Sequence, residues 1–334
     1  MARQIRWCMV CNLLTVSRRC PVCRKEVSKL NLDGRGDLVP MSPGVMKFIR
    51  SSVDGIFGDG CGNLLLPEGC VGFTDRTEKG SEIIVNGGKV GRITKNGLTL
   101  EPAGLKAISS KISKNYVRCN HDSSHFVKLG RNLMVTGVQE ASPSLKKGDH
   151  VAMFDDRGNV IASGMMRMSS DEIAGSDRGV AVTTVTNVFA RTCYGVQHHN
   201  WRKTLELNSS PIASISGTSV KDVKDLMSSY GKDVVVVFSG DIRSEASLLL
   251  TMEAGFRPKV YATKNDEFVK FMIEKHNLER IDKIPENCIL ICEDNVKRTS
   301  EIVVYSPIQD WDPSSFWLYV MNKSEPFHNS YINL

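Results

Sequence analysis

The run Val234-Val235-Val236-Val237-Phe238 leaves this chain few choices. Five successive apolar residues, four of them β-branched, offer no polar side to water. That suits a strand paired on both edges and covered on both faces, as in a parallel sheet. A short turn, Ser239-Gly240-Asp241-Ile242-Arg243-Ser244, separates the run from a segment with Leu248, Leu249 and Met252 at helical spacing and Gly255 as a stop. Residues 259–263 read as the next strand, 267–276 as a helix and 287–292 as a further strand. Strand and helix in alternation predict a doubly wound parallel α/β domain. The same order of parts is how amides at a helix N-terminus cradle phosphate, yet here Asp241 stands where the anion would sit. A phosphate loop, its remnant and an ordinary turn are the three readings, and the choice bears on whether the chain is an enzyme.

At 334 residues the chain is long enough for two to four domains. Apolar content of 41% and charged content of 24% are ordinary globular values that argue against wholesale disorder. No apolar run nears the roughly 20 residues that span a bilayer. Arg3, Arg6 and Cys8 stand where a signal peptide would have its apolar core. The expectation is a soluble, cytoplasmic protein without a membrane partner.

Cys8, Cys11, Cys20 and Cys23 form two C-x2-C knuckles eight residues apart. Two such pairs so close together fit a tetrahedral thiolate cage for structural zinc better than a redox pair. So short a segment has almost no core, so metal binding would supply its folding energy. A closed four-sulfur site leaves no position open for catalysis. The other six cysteines are scattered and are expected to be reduced thiols, with Cys61, Cys70, Cys288 and Cys292 as packing residues. Residues 1–29 hold seven cations (Arg3, Arg6, Arg18, Arg19, Arg24, Lys25 and Lys29) against Glu26 alone, which is the whole net charge of +6. Basicity concentrated in a small module points to a polyanion, most often nucleic acid; a merely solvated face is the other reading.

Residues 31–112 are rich in glycine turns and predict an α+β region: strands joined at Asn86-Gly87-Gly88 and Asn96-Gly97, then a short helix over 105–112 after Pro102. Residues 115–188 change to about five short strands, a small barrel or sandwich pattern, with the turn Asp155-Asp156-Arg157-Gly158 joining two of them. Cys119, His121 and His125 read as a polar entrance to the first strand rather than a metal set.

Leu129-Gly130 followed by Gly137-Val138, then Lys146-Lys147-Gly148-Asp149 leading to Val151-Ala152, then Gly158, Val160-Ile161-Ala162 and Gly164, resemble a PUA domain. The resemblance implies a mostly-β pseudo-barrel that binds structured RNA, tRNA or rRNA, beside a glycine-flanked strand over 129–137 and along the adjoining cationic edge. Lys128, Gly130, Arg131, Gly137, Lys146, Lys147 and Arg167 are the candidates. Each cation has a solvated-surface alternative.

The C-terminal third adds Pro307-Ile308-Gln309-Asp310-Trp311, then Asp312 as a helix cap, Pro313 in the first turn, and Phe316, Trp317, Tyr319 and Val320 crowding that helix, followed by Pro326 and Tyr331. With Ser239 to Ser244 these residues resemble the phosphoadenosine phosphosulfate (PAPS) reductase-like branch of the PP-loop ATP pyrophosphatases, some archaeal members of which begin with a zinc ribbon and a PUA domain. The resemblance implies four parts: a zinc ribbon at 1–30, a pre-PUA α+β domain at 31–112, a PUA domain at 113–188, and at 189–334 a degenerate, truncated PP-loop domain of the adenine nucleotide alpha hydrolase-like fold. Relatives continue beyond the position of Tyr331 into a cysteine-bearing segment.

The family loop reads S-G-G-K-D-S. Ser239, Gly240 and Ser244 match; Asp241, Ile242 and Arg243 replace glycine, lysine and aspartate. Asp241 adds an anion facing a polyanion, which at about 4 Å and an effective dielectric near 20 costs roughly 4 kcal/mol. Ile242 withdraws the compensating cation, and Arg243 restores one charge nearby. ATP or PAPS is therefore expected to bind poorly, and no residue stands out as catalytic. Three functions follow. The first is an RNA-binding protein whose α/β domain is scaffold. The second is a working enzyme, adenylating RNA or a sulfur compound or carrying out PAPS reductase-like sulfur chemistry, that uses Arg243 and the loop amides in place of the lysine. The third is a protein-binding member that supplies RNA to a separate modification enzyme.

Overall fold

The computed structural model describes residues 4–33, 38–189, 191–231, 233–292 and 302–325; Pro326 and Tyr331 lie outside them. The chain separates into two compact units. One comprises residues 1–6, 14–31 and 202–334, the other residues 7–13 and 32–201.

The first residues form a three-stranded ribbon, β1 (Gln4–Cys8), β2 (Leu13–Leu14) and β3 (Ser28–Asn31), with β1 in the middle. A five-stranded antiparallel sheet follows, running in sequence order: β4 (Leu38–Pro40), β5 (Gly72–Thr77), β6 (Gly80–Val85), β7 (Gly88–Thr94) and β8 (Gly97–Leu100). Asn86 and Gly87 both take positive φ (48° and 75°), the primed hairpin turn expected of that sequence. Three helices belong to this region: α1 (Pro43–Phe57), α2 (Cys61–Leu65) and α3 (Pro102–Ile108). Ser42 caps α1 by accepting from the Val45 amide, and a proline opens both α1 and α3. The sequence reading foresaw the hairpins and α3 but missed α1, whose Val45, Met46, Ile49, Val53 and Phe57 are buried.

The next sheet has six strands in the order β10-β14-β13-β12-β9-β11. They are β9 (Tyr116–Cys119), β10 (Leu133–Met134), β11 (Val138–Ala141), β12 (His150–Phe154), β13 (Val160–Met166) and β14 (Val180–Thr186). All neighbours are antiparallel except β9 and β12. Helix α4 (His121–Lys128) starts at Asn120, whose side chain accepts from the Ser123 amide; α5 (Ser170–Ala174) starts in a capping box between Ser169 and Glu172. Ala152, Phe154 and Val160 pack into the same core as Ile49, Phe57, Leu100 and Leu105.

The unit that contains residues 202–334 holds almost all of α6 (Trp201–Tyr230), a 30-residue helix that the sequence reading missed. Its buried stripe is largely polar: Thr204, Asn208, Ser216 and Ser219 precede Val223 and Met227. Asn208 donates to the Leu14 carbonyl at 2.8 Å and accepts from the Val16 amide at 3.3 Å. Ser219 donates to the Pro307 carbonyl at 2.7 Å and accepts from the Trp311 indole at 3.1 Å. These long-range bonds satisfy Asn208 and Ser219, whereas Thr204 Oγ1 is buried without a hydrogen-bond partner.

A parallel sheet of five strands follows: β15 (Asp233–Phe238), β16 (Lys259–Ala262), β17 (Glu279–Ile281), β18 (Cys288–Ile291) and β19 (Val303–Tyr305), in the order β17-β16-β15-β18-β19. As the valine run requires, β15 is central, parallel to β16 on one side and β18 on the other. Its helices are α7 (Ile242–Glu253), α8 (Glu267–Lys275) and α9 (Pro313–Asn322), each capped by an aspartate: Asp241, Asp266 and Asp312. Strand order reverses at β15, as in doubly wound sheets. The layering, however, differs from the doubly wound expectation. Residues of α6, α7 and α8 share one core with Val236 and Phe238, whereas the core on the opposite side (Val235, Cys288, Leu290, Cys292 and Val304) draws on no described helix.

Candidate nucleic-acid interface and metal centre

In the ribbon, the sulfur atoms of Cys8, Cys11, Cys20 and Cys23 all lie within 4.8 Å of one another. The Cys11 amide donates to Cys8 Sγ at 3.4 Å, closing the first knuckle. The second is closed by backbone bonds from Arg24 N to Cys20 O and from Cys20 N to Lys25 O. Four soft donors, with no fifth His, Cys, Asp or Glu ligand beside them among the described residues, fit a tetrahedral ion such as zinc. Cys61 and Cys70 are buried elsewhere, and burial pushes both thiols up to about 11.

Around the six-stranded sheet, the candidate residues fall into different roles. Lys128 ends α4 and its Nζ lies 3.1 Å from Asp155 Oδ2. Burial opposes ionisation of Asp155, but the Asn159 amide and Lys128 together hold its carboxyl below the usual range. Asp155 Oδ1 also accepts from the amides of Arg157 and Asn159, which fixes the predicted turn. Gly130 sits at φ +84°, a left-handed position that suits glycine after a helix. Arg131 is exposed, its carbonyl accepting from the Thr184 hydroxyl at 2.8 Å. Gly137 is buried, and a Cβ there would lie 2.2 Å from Ser123 Oγ. The absence of a side chain at 137 lets α4 approach, so packing explains this glycine. Lys146 and Lys147 are exposed, with the Lys146 amide bound to Asp149 Oδ2 at 2.7 Å; Arg167 Nε donates to Thr183 Oγ1 at 2.7 Å.

The structure corrects three expectations. No continuous strand spans Leu129–Gly137: that stretch is a helix end and turn, the two-residue β10 and a 3-10 turn. His121, expected at a strand entrance, opens α4, with Nδ1 3.0 Å from Asp156 Oδ2. Nor do the cations form one edge. Lys128 reaches the Phe154–Val160 end of the β12–β13 hairpin, while Lys146, Lys147 and Arg167 flank its His150–Met165 end. About 13 Å of paired strand separates them. Residue charge could not reveal that, beside Lys128 in the chain, Phe126 on α4 and Leu129 just after it are 58% and 65% exposed.

The turn after β15 is closed on itself. Asp241 Oδ1 accepts from the amides of Arg243 and Ser244 at 3.0 and 2.9 Å, and Oδ2 accepts from the Ser239 hydroxyl at 2.5 Å. Ser244 Oγ donates to the Asp241 carbonyl and receives the Ser239 amide. Gly240 takes φ +77°, as the turn demands. The Arg243 guanidinium lies 5.9 Å over the Phe316 ring on α9. Glu245, one turn into α7, is fully buried, and neither carboxylate oxygen has a hydrogen-bond partner. Burial, then Glu325, pushes its carboxyl up to about 9.

The chain aligns with an uncharacterised protein of Methanocaldococcus jannaschii at 24% identity over 267 residues, which is 75% of this chain and 55% of that protein, so it spans about half the length of this curated relative. A hypothetical protein of Pyrococcus horikoshii OT3 matches with a TM-score of 0.41 at 18% identity, over 48% of this chain and 99% of that one. A conserved PUA domain protein of Thermoplasma acidophilum matches with a TM-score of 0.39 at 19% identity, over 45% of this chain and 93% of that one. Residues 115–186, the segment that carries the six-stranded sheet, match the family model of the PUA domain.

Proposed function

We propose that this protein binds structured RNA, tRNA or rRNA, through its PUA domain and its zinc-bearing ribbon, and that its α/β domain serves as scaffold or partner surface without nucleotide chemistry. The observation that carries the RNA reading is the PUA match over 115–186, a segment whose loop residues Arg131, Lys146 and Lys147 are exposed. Phosphates would meet these cations, and an unpaired base could stack on the exposed Phe126. Zinc in the four-cysteine cage would fold the ribbon and take no part in chemistry.

For the α/β domain, Asp241 supports the scaffold reading. Its carboxylate already holds the amides and the hydroxyl that a phosphate would need, and Arg243 is turned toward Phe316. A PP-loop-like origin is the reading that best accounts for such a turn at the end of the central strand. Cytoplasmic location and assembly with an RNA-modifying enzyme belong to the same proposal. A second reading, an active PAPS reductase-like or adenylating enzyme, draws on the turn's place where strand order reverses, the usual ligand position in open α/β sheets. Two titrations test the pair. An unmodified tRNA transcript should bind the full chain with affinity that falls steeply with salt, and its failure to bind at low salt ends the RNA reading. Isothermal titration with ATP and with PAPS should give no binding tighter than millimolar; micromolar binding to either would move the assignment to the enzyme.

A further inference from the structure

Arg18, Arg19, Arg24, Lys25 and Lys29 are all exposed, and among the described residues none makes an ion pair or a side-chain hydrogen bond. Elsewhere cations are commonly paired: Lys89 and Arg92 with Glu82, Arg118 with Glu140, Lys259 with Asp233, Lys323 with Glu253. Even within the ribbon, Arg6 is engaged, its guanidinium bound to the Asp312 carboxylate and to the Val16 carbonyl.

The five free cations share one small hairpin. Val27 N bonds to Arg18 O, Arg19 bridges Glu26 through the backbone, and Cys20 N bonds to Lys25 O, so the two arms lie side by side. Arg24 stands at the apex with φ +61°, next to the second knuckle, where Val22 is 49% exposed. Glu26 is the sole acid of residues 18–29. Like charges set on paired arms repel, and nothing in the fold offsets that repulsion by contact. A divalent ion in the thiolate cage would leave a charge of −2 beneath the hairpin, which answers part of the charge at a distance but offers no oxygen to a guanidinium.

We propose that the hairpin of residues 18–29 is a second RNA contact, a sequence-independent clamp on backbone phosphates, held in shape by the metal cluster. It rests on the RNA-binding reading and names the part of the ribbon that would make the contact and the phosphate chemistry of that contact. Guanidinium forks and ammonium groups projecting from a rigid turn suit phosphate oxygens.

The test uses the full chain and a fluorescein-labelled, unmodified tRNA transcript, with anisotropy measured from 50 to 300 mM KCl. Replacing all five by glutamine should lower the slope of log affinity against log salt by roughly 3.5–4.5, at 0.7–0.9 per lost phosphate contact, with zinc content unchanged. The apex variant R24Q/K25Q, which asks less of the fold, should lower it by roughly 1.4–1.8. The swap R18K/R19K/R24K/K25R/K29R should keep the wild-type slope. A wild-type slope and affinity in R24Q/K25Q, while K146Q/K147Q weakens binding, would overturn the clamp and leave the PUA reading standing. No binding by the wild-type chain at 50 mM KCl overturns both.

Discussion

Three donors converge on the Asp241 carboxylate: the amides of Arg243 and Ser244 and the hydroxyl of Ser239. Electrostatics along the chain places an anion at this turn but does not say which way it faces. An anion pointing outward would repel phosphate, whereas one folded back onto the helix end takes over phosphate's hydrogen bonds. The second is what the side chain does, and in doing so it stabilises α7 as its N-cap. D241A should therefore cost about 1 kcal/mol of stability in urea unfolding, as lost caps do. No loss would mean that the cap is energetically idle. Gly137 teaches the same lesson in reverse. Its place in a family-like pattern marks it as important, but only the 2.2 Å approach to Ser123 Oγ shows the reason to be packing.

At the scale of elements, local rules located most strands and the helices after Pro102, Asp241, Asp266 and Asp312, and missed α1, α4 and α6. Pro43, Pro102 and Pro313 begin helices because their missing amide is unneeded there. Helix α6 was hidden because its buried stripe holds Thr204, Asn208, Ser216 and Ser219; two of these are satisfied by bonds to residues far away in sequence, at Leu14, Val16, Pro307 and Trp311. Helix α7 buries a carboxyl that no pattern flags. Glu245 keeps its proton in the fold up to about pH 9, while the unfolded chain releases it near the ordinary glutamate value of about 4.3. The folded state thus holds the extra proton between those values. This contribution to stability is complete below about pH 4 and declines as pH rises, by up to about 1.4 kcal/mol per unit, until about pH 9. E245Q should flatten that decline, so urea midpoints at pH 6 and pH 8.5 should converge relative to wild type. An unchanged pH slope in E245Q would show that the side chain is hydrated in solution.

On the scale of the whole molecule, metal and charge dominate. Four sulfurs within 4.8 Å could bind an ion that holds the knuckles, although Ile5, Trp7, Leu13 and Leu14 are also buried, more core than so short a segment was expected to have. One zinc per chain is expected by elemental analysis, and C20S should lose it, raise the protease sensitivity of residues 1–31 and weaken tRNA binding. Full metal content in C20S would remove that cysteine from the cage. Ten cysteines and a net charge of +6 were legible before any fold was known, as were four ligands at knuckle spacing and a central parallel strand, because spacing and side-chain type are properties of neighbours along the chain. Tertiary structure alone decided that Arg6 is taken by Asp312 while Arg18, Arg19, Arg24, Lys25 and Lys29 stay free. It likewise decided that Arg243 turns to Phe316, and that the described helices of the parallel sheet's cores share one side. Those outcomes depend on groups brought together across hundreds of residues, and no local rule carries that information.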